Sequence, residues 1–401
     1  MTEEARRKPA EPCVLAINAG SSSIKFALYQ TEEPLKRWLF GKIDRIGLPG
    51  TNLTFNDRIR NEQGSLILEA SDHRSAPDRL LAWLEERIGF ASLAGVGHRV
   101  VHGMKYTKHE RVTHELLNEL HRIRSYDPDH LPIEIELIES VCRRHAKLPQ
   151  VACFDTAFHR TMPRVARLLP IPRRFDAIGI QRYGFHGLSY AYLMEELARV
   201  AGAKAAQGRV ILAHLGNGAS LTAVLNGESI DTSMGFTPAA GLPMGTRPGD
   251  LDPGVAWYLM RTENLTPAEF SNLINHESGL LGISETTSDM RDLIVRQASD
   301  VRAAEAVELF CYHTRKWIGT FAAVLGGVET LVFSGGIGEN AGVVRARVCS
   351  ELGFLGIELD EDRNANNSPV ISAEASPATV RVIRTDEELM IVRAVCRILR
   401  C

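Results

Sequence analysis

Two stretches of this chain carry the same short pattern, and that repetition narrows the possible folds more than any other feature. Val14 to Tyr29 runs apolar strand, small-residue turn, apolar strand, with Asn18, Gly20, Ser21, Ser22, Ser23 and Lys25 in or beside the turn. Leu212 to Leu225 aligns on Leu15 to Leu28 without a gap, at an offset of 197 residues, and sets Leu15, Ala16 and Ser23 on Leu212, Ala213 and Ser220. The second copy closes with Asn226-Gly227, the strongest short hairpin signal. Two such units half a chain apart predict a duplicated domain with a cleft between the halves, although any two Gly-containing β-turns share some likeness. Small residues let a backbone approach a ligand, hydroxyls and amides donate, and a lysine adds a point charge, so the first turn suits phosphate. No G-x-x-x-x-G-K-[ST] occurs, so it is not a Walker loop.

A chain of 401 residues, 44% hydrophobic and 24% charged, has material for two cores. A net charge of −3 argues against nucleic acid as the main partner. Seven scattered cysteines without C-x-x-C fit reduced thiols in a cytoplasm better than a disulfide framework or a zinc site. Residues 1–12 are polar and read as a disordered lead-in with no apolar leader. The apolar run Trp317 to Phe333 is broken by Gly326-Gly327 and Glu329, which predicts a helix end and a strand, not a membrane span.

Strand patterns fall at 13–18, 24–29, 51–57, 65–69 and 150–154, then at 209–215, 219–225, 228–231, 329–334 and 378–384. Helical patterns cover Pro77 to Gly89, Ser189 to Gly202 with Ser189 as cap, 302–325 and 386–398. In the 302–325 helix, Val307, Phe310, Thr314, Trp317, Phe321 and Val324 predict burial along the whole length. Mixed elements indicate an α/β protein. The domain boundary falls near Phe154-Asp155, giving 13–158 plus 386–401 as a first domain and 159–385 as a second.

Chemistry-bearing residues gather at strand ends and in glycine-bearing loops. In Gly97-His-Arg-Val-Val-His-Gly103, Arg99 stands among short apolar residues, where a guanidinium needs an anion: a structural carboxylate or a ligand. Asp155, in Phe154-Asp-Thr-Ala-Phe-His159, suits a metal ion, catalysis or a helix cap. His186 lies in Arg182-Tyr-Gly-Phe-His-Gly187. The irregular stretch Asp231 to Asp250, with four glycines and three prolines, presents Arg247. Ser334-Gly-Gly-Ile-Gly-Glu-Asn340 follows an apolar strand and can offer amides to a nucleotide. Two arginines, two phosphate-type turns and metal-competent carboxylates are the parts that phosphoryl transfer needs.

These segments, in this order, resemble the acetate kinase family from about Val14 to Val392. The motifs are Asn18-Ala-Gly-Ser-Ser-Ser-Ile-Lys25, His98-Arg-Val-Val-His-Gly103, Phe154 to His159, Arg182 to Gly187, His214-Leu-Gly-Asn-Gly218, Asp231-Thr-Ser-Met-Gly-Phe236, Met244-Gly-Thr-Arg247 and Gly335-Gly-Ile-Gly-Glu-Asn340. The resemblance implies duplicated actin/hexokinase-like (ribonuclease H-like) domains, an active site in the interdomain cleft and a homodimer dimerising through the second domain. It implies Mg²⁺, with Mn²⁺ possible, and exchange of a phosphoryl group between ATP and acetate, giving ADP and acetyl phosphate by direct in-line transfer. Asp155, Arg99, Arg247, His186 and His130 match catalytic positions. Arg99, Val101, Phe185 and Pro238 match the acid pocket. Ser21, Ser23, Lys25, His214, Leu215, Gly216, Asn217, Gly218, Asp289, Met290, Arg291, Gly335, Gly336, Ile337, Gly338 and Asn340 match nucleotide positions. Asn18 and Glu387 match the metal-linked pair.

The chain departs from the family in one segment. Where the family has a stretch like Ala-Pro-Leu-His-Asn-Pro-Pro, this chain has Asp127-Pro-Asp-His-Leu-Pro-Ile133. Asp129 replaces a wall leucine, Leu131 replaces an asparagine, and Met104 stands where glycine is common. A carboxylate there repels an acid substrate unless it is paired or turned away. Alternatives are a propionate or butyrate kinase with a roomier pocket, a sugar-kinase-like enzyme with Asp155 as base, or a nucleotide-binding homologue with little turnover.

Overall fold

Near-continuous apolar runs shape the hairpin of Cys13–Ala19 (β1) and Ser23–Gln30 (β2), whose seven pairs run from Cys13 opposite Gln30 to Ala19 opposite Ile24. The computed structural model describes residues 12–20, 23–44, 46, 50–68 and 75–401. The expected lead-in, apart from Pro12, and the expected site residue Ser21 lie outside them. Two compact units divide the chain: residues up to Ala157 with Asp386–Cys401, and Phe158–Thr385.

The first unit adds Lys36–Asp44 (β3), Asn52–Asp57 (β4), Glu62–Ile67 (β5), Leu93–Val100 (β6), Glu110–Arg111 (β7) and Gln150–Phe154 (β8). They form one sheet in the order β5-β4-β3-β2-β1-β6-β8-β7, with β1, β6 and β8 parallel and β2 antiparallel to β1. Helix Ser75–Ile88 buries Leu80, Leu81, Leu84 and Ile88 in the core, and Gly89 follows at φ 67°. The last helix, Glu387–Leu399, lies on β1 and β6. That packing explains two glycines of β6: a methyl on Gly95 would sit 2.5 Å from Leu399 Cδ1, and one on Gly97 would sit 2.3 Å from Ile391 Cγ2.

The second unit holds Arg209–Leu215 (β9), Ala219–Leu225 (β10), Glu228–Thr232 (β11), Thr330–Ser334 (β12) and Thr379–Val382 (β13), in the order β11-β10-β9-β12-β13. That order and its strand directions repeat β3-β2-β1-β6-β8 of the first unit. The fold is therefore the duplicated ribonuclease H-like α/β arrangement of actin and hexokinase. Asn226 and Gly227 both take positive φ, 53° and 78°, as a tight hairpin turn requires.

The gapless alignment of the two hairpins does not survive the turn. Leu15 faces Leu28, whereas Leu212 faces Thr222. The second turn is shorter, so β10 stands three residues out of step with β2, and Asn217, not Ser220, corresponds to Ser23. Burial also differs from the periodic reading in two helices. In Val301–Leu325 the buried stripe passes through Val307, Phe310, Thr314, Ile318, Phe321 and Leu325, because steps of three and four turn it away from Val324, which is exposed. Helix Gly187–Ala201 starts two residues before Ser189, with His186 at the cap position, and Val200 is exposed.

Candidate active site

In the first unit, strand β6 ends by delivering Arg99 and β8 ends by delivering Asp155. Arg99 Nε and Nη2 both donate to Asp155 Oδ2, at 3.0 and 2.7 Å, and Nη1 donates to the Ala19 carbonyl at 2.8 Å. Three of the five guanidinium N–H groups are thereby engaged, leaving one on each Nη, the pair that can grip a carboxylate. Burial opposes the Arg99 charge, but Asp155 and Glu134 outweigh it and hold the guanidinium firmly protonated. Of the roles open to Asp155 in sequence, the helix cap is not what the structure shows: one oxygen holds Arg99 and the other has no hydrogen-bond partner.

Helix Leu131–Arg144 supplies Glu134, a residue the sequence reading missed. Its side chain is buried, accepts the Val101 N–H on Oε2 at 2.9 Å and places Oε1 3.6 Å from Arg99 Nη1. Burial pushes its carboxyl up to about 8, against the pull of Arg99 and the Val101 N–H. Ahead of this helix, Asp127 Oδ1 meets His130 Nδ1 at 2.8 Å. Burial works against Asp127, yet His130 overcomes it and keeps its carboxyl below the usual range. Asp129, the suspect residue of this segment, is only half-buried, whereas Asp127 and Glu134 are the buried acids. Met104 adopts φ 47°, which explains why glycine suits that position.

The β1–β2 hairpin and the last helix bring a second group together. Asn18 Nδ2 donates to Glu387 at 2.7 Å and to Glu388 at 3.0 Å. Lys25 is exposed on β2; desolvation disfavours its charge, but Glu387 and Glu388 prevail and raise its pKa. Burial raises the pKa of Glu388, with Lys25 opposing. Two hard carboxylates side by side fit Mg²⁺, which binds through one or two carboxylates plus phosphate and water oxygens. No cluster of three or more His, Cys, Asp or Glu side chains among the described residues could hold a metal by itself.

In the second unit, the turn after β9 is walled by glycines. His186 Nδ1 meets Ser220 Oγ at 2.8 Å, and Tyr190 Oη also bonds Ser220 Oγ. With Tyr190 donating to Ser220 and Ser220 donating to His186, Nε2 carries the imidazole proton. The His186 ring stacks on His214 at 4.3 Å, and His214 Nδ1 is held by Ser189 Oγ at 2.8 Å. Ser189, expected as a cap, serves this contact instead. A methyl on Gly218 would lie 3.2 Å from His186 Nε2 and 3.3 Å from Arg247 Nη2, so an imidazole and a guanidinium converge on that glycine. Arg247 Nη1 donates to the Pro238 carbonyl at 2.7 Å, and Gly245 N–H donates to the Asn217 carbonyl at 3.0 Å, which ties the long loop to the turn. His159 is buried and forced down to about 4 by desolvation; its Nε2–H donates to the Phe185 carbonyl at 3.0 Å and fixes the backbone ahead of His186.

Gly335–Asn340 is a short helix directly after β12, with Gly335 at φ 76° against Leu215 and its N–H donated to Glu339 at 3.0 Å. Gly216 lies near Gly336, since a methyl on Gly216 would be 3.8 Å from the Gly336 nitrogen. So Leu215, Gly216, Gly218, His214 and the Gly335–Asn340 segment meet within this unit, with Ile337 and Gly338 in its turn. Asp289, Met290 and Arg291 form a helix start in which Met290 is buried and Arg291 exposed: Asp289 caps Met290–Arg296 by accepting from the Arg291 N–H at 2.9 Å, and Arg291 Nη2 donates to Asp289 Oδ2.

Residues 13–393 match the profile of the acetokinase family. The chain is 44% identical over 391 residues to an acetate kinase of Rhodopseudomonas palustris, covering 96% of this chain and 98% of the relative. It is 42% identical over 393 residues to a propionate kinase of Citrobacter rodentium, covering 96% of each. A crystal structure of a propionate kinase from Francisella tularensis superposes with a TM-score of 0.88 at 35% identity, covering 96% of this chain and 98% of that one.

Proposed function

This chain belongs to the acetokinase family of phosphotransferases, and on that premise we propose that it transfers the γ-phosphoryl group of ATP reversibly to acetate, giving acetyl phosphate and ADP. The observation that carries the proposal is the convergence of His186 Nε2 and Arg247 Nη2 on Gly218, beside the Gly335–Asn340 turn. A glycine there leaves room for an oxyanion, and the two donors meet charge on equatorial phosphoryl oxygens.

Arg99, gripped by Asp155, turns its remaining Nη protons to the acid's carboxylate. That carboxylate is ionised at neutral pH, so no general base is required. Its oxygen attacks the γ-phosphorus in line, the new O–P bond forms, and the bond to the β–γ bridging oxygen breaks as ADP leaves. Mg²⁺, held through Glu387 with Asn18 beside it, would neutralise phosphate charge. The family motifs assign Lys25, Ser21 and Ser23 to the phosphates, and His130, Val101, Phe185 and Pro238 to the acid. His214, Asn217, Gly336, Asn340, Asp289, Met290 and Arg291 bind the nucleotide.

A propionate preference is the second reading, favoured by a relative of that name at almost the same identity. Acyl phosphate trapped with hydroxylamine, using formate, acetate, propionate and butyrate with Mg²⁺ and ATP, separates the two. One methylene shifts preference by about 1–3 kcal/mol. Equal or better kcat/KM with propionate overturns the acetate assignment, and no hydroxamate with any acid overturns the reaction. We further infer a homodimer through helix Pro253–Thr262, none of whose residues is buried and whose Trp257 is 62% exposed. A monomeric sedimentation coefficient at micromolar concentration would refute that pairing.

A further inference from the structure

Among the described residues, three buried carboxylate oxygens have no hydrogen-bond partner: Asp127 Oδ2, Glu134 Oε1 and Asp155 Oδ1. Orphaned buried acceptors are costly, and each needs an explanation. Arg99 is the cation among these groups, and its charge is already matched by Asp155 at 2.7 Å. A second ionised carboxylate against the same guanidinium would leave the cluster net negative, where an anionic acid must bind.

We propose that Glu134 is a positioning residue for the acid substrate: as a neutral carboxylic acid it anchors the Val101 backbone and flanks Arg99 without cancelling the charge that Arg99 turns to the substrate. This inference rests on the acyl-kinase reading. Oε2 takes the Val101 N–H, so the pocket-wall residue and the arginine two positions before it hang on one side chain. A proton on Oε1 turns an orphan acceptor into a donor, and the other unpartnered buried carboxylate oxygens among the described residues belong to Asp155 and Asp127, both of which act on Glu134. The groups that act on Glu134 are Arg99 from β6, Asp127 from the turn before its own helix and Asp155 from the end of β8. Burial favours the protonated form, in agreement with the charge balance. Glu134 touches neither reacting atom; it acts through Arg99 and Val101.

The test is the pH dependence of KM for acetate, read with kcat at saturating ATP on the full chain. Acetate is ionised throughout, so it adds no titration above about pH 6. In the wild type, KM is flat near pH 7 and rises about tenfold per pH unit once Glu134 ionises, while kcat stays level. Glu134→Gln, a permanent neutral mimic that still accepts from Val101 and donates, keeps KM within about threefold of wild type at pH 7 and abolishes the alkaline rise. Glu134→Leu raises KM at every pH, because the Val101 anchor is gone. A Gln variant that retains the rise, or a wild type without one up to pH 9.5, about 1.5 units past the transition, overturns the inference. The wild-type profile decides even if neither variant folds. A wild type that phosphorylates no acid overturns the acyl-kinase reading together with this one; unchanged profiles in a working enzyme overturn this one alone.

Discussion

Replacing Gly218 by alanine tests the phosphoryl site with one carbon atom. The added methyl would lie 3.2 Å from His186 Nε2 and 3.3 Å from Arg247 Nη2. A phosphoryl oxygen accepting from both donors needs heavy-atom distances of about 2.8 Å. A methyl carbon in ordinary contact keeps about 3.5–4 Å from its neighbours, so the two cannot share the space. Loss of one such donor lowers kcat by about 10²–10³, and a displacement of about 1 Å at the reacting centre costs about 10². With both donors obstructed, we expect kcat to fall by about 10³ or more. Gly218 is not among the positive-φ glycines, so alanine adds no backbone strain and the melting temperature should hold. The assay is initial-rate hydroxamate formation beside a thermal melt. Turnover within about tenfold of wild type, with the melt unchanged, would remove Gly218, His186 and Arg247 from the phosphoryl site.

Arg247→Ala should lower kcat by about 10³ while ATP affinity changes only a few-fold, as for other transition-state arginines; steady-state kinetics with nucleotide titration checks both. Met104→Gly relieves a left-handed backbone worth about 1–2 kcal/mol. It also empties a buried side chain worth about 2–5 kcal/mol, so urea unfolding should show net destabilisation. Glu134 keeps in the folded state a proton that the unfolded chain releases, because its carboxyl is raised from 4.5 to about 8. Its contribution to stability therefore falls as pH climbs from 4.5 to 8. The urea midpoint of Glu134→Gln should gain on wild type across that window and stop gaining above it; a constant gap would contradict the shift.

The hairpins β1–β2 and β9–β10 were legible because their strands are uniformly apolar and their turns are built from Gly, Ser and Asn. Gapless matching failed at the turn length, which hydrophobic pattern does not encode. Strand β3 (Lys36–Asp44) escaped notice because Lys36, Arg37, Gly41, Lys42 and Asp44 interrupt it, although its glycine is required: a methyl on Gly41 would strike the Thr54 carbonyl at 2.2 Å. Helix Leu131–Arg144 was hidden behind Asp127-Pro-Asp-His-Leu-Pro132, which reads as loop, yet Pro132 at its first turn suits a helix start. Helix Pro253–Thr262 has no buried residue, so it has no inward stripe to read. At the site, Arg99, Asp155, His186 and Arg247 could be named from motifs. The pairing of Arg99 with Asp155 could not, since each ends a different strand and only the parallel register of β6 with β8 brings them together. Glu134 left one trace, an acid between Ile133 and Ile135 on an otherwise apolar helix start.

Helix Glu387–Leu399 fills the space that Gly95 and Gly97 leave open on β6. A ribosome releases that helix only after everything between Phe158 and Thr385 has emerged. Chain synthesis proceeds at about 5–20 residues per second, so for many seconds β1 and β6 wait with bare backbone where Ile391, Val395 and Leu399 will lie. The half of the molecule translated first is thus the half completed last, and a fusion partner or truncation at the carboxyl terminus strikes the amino-terminal sheet.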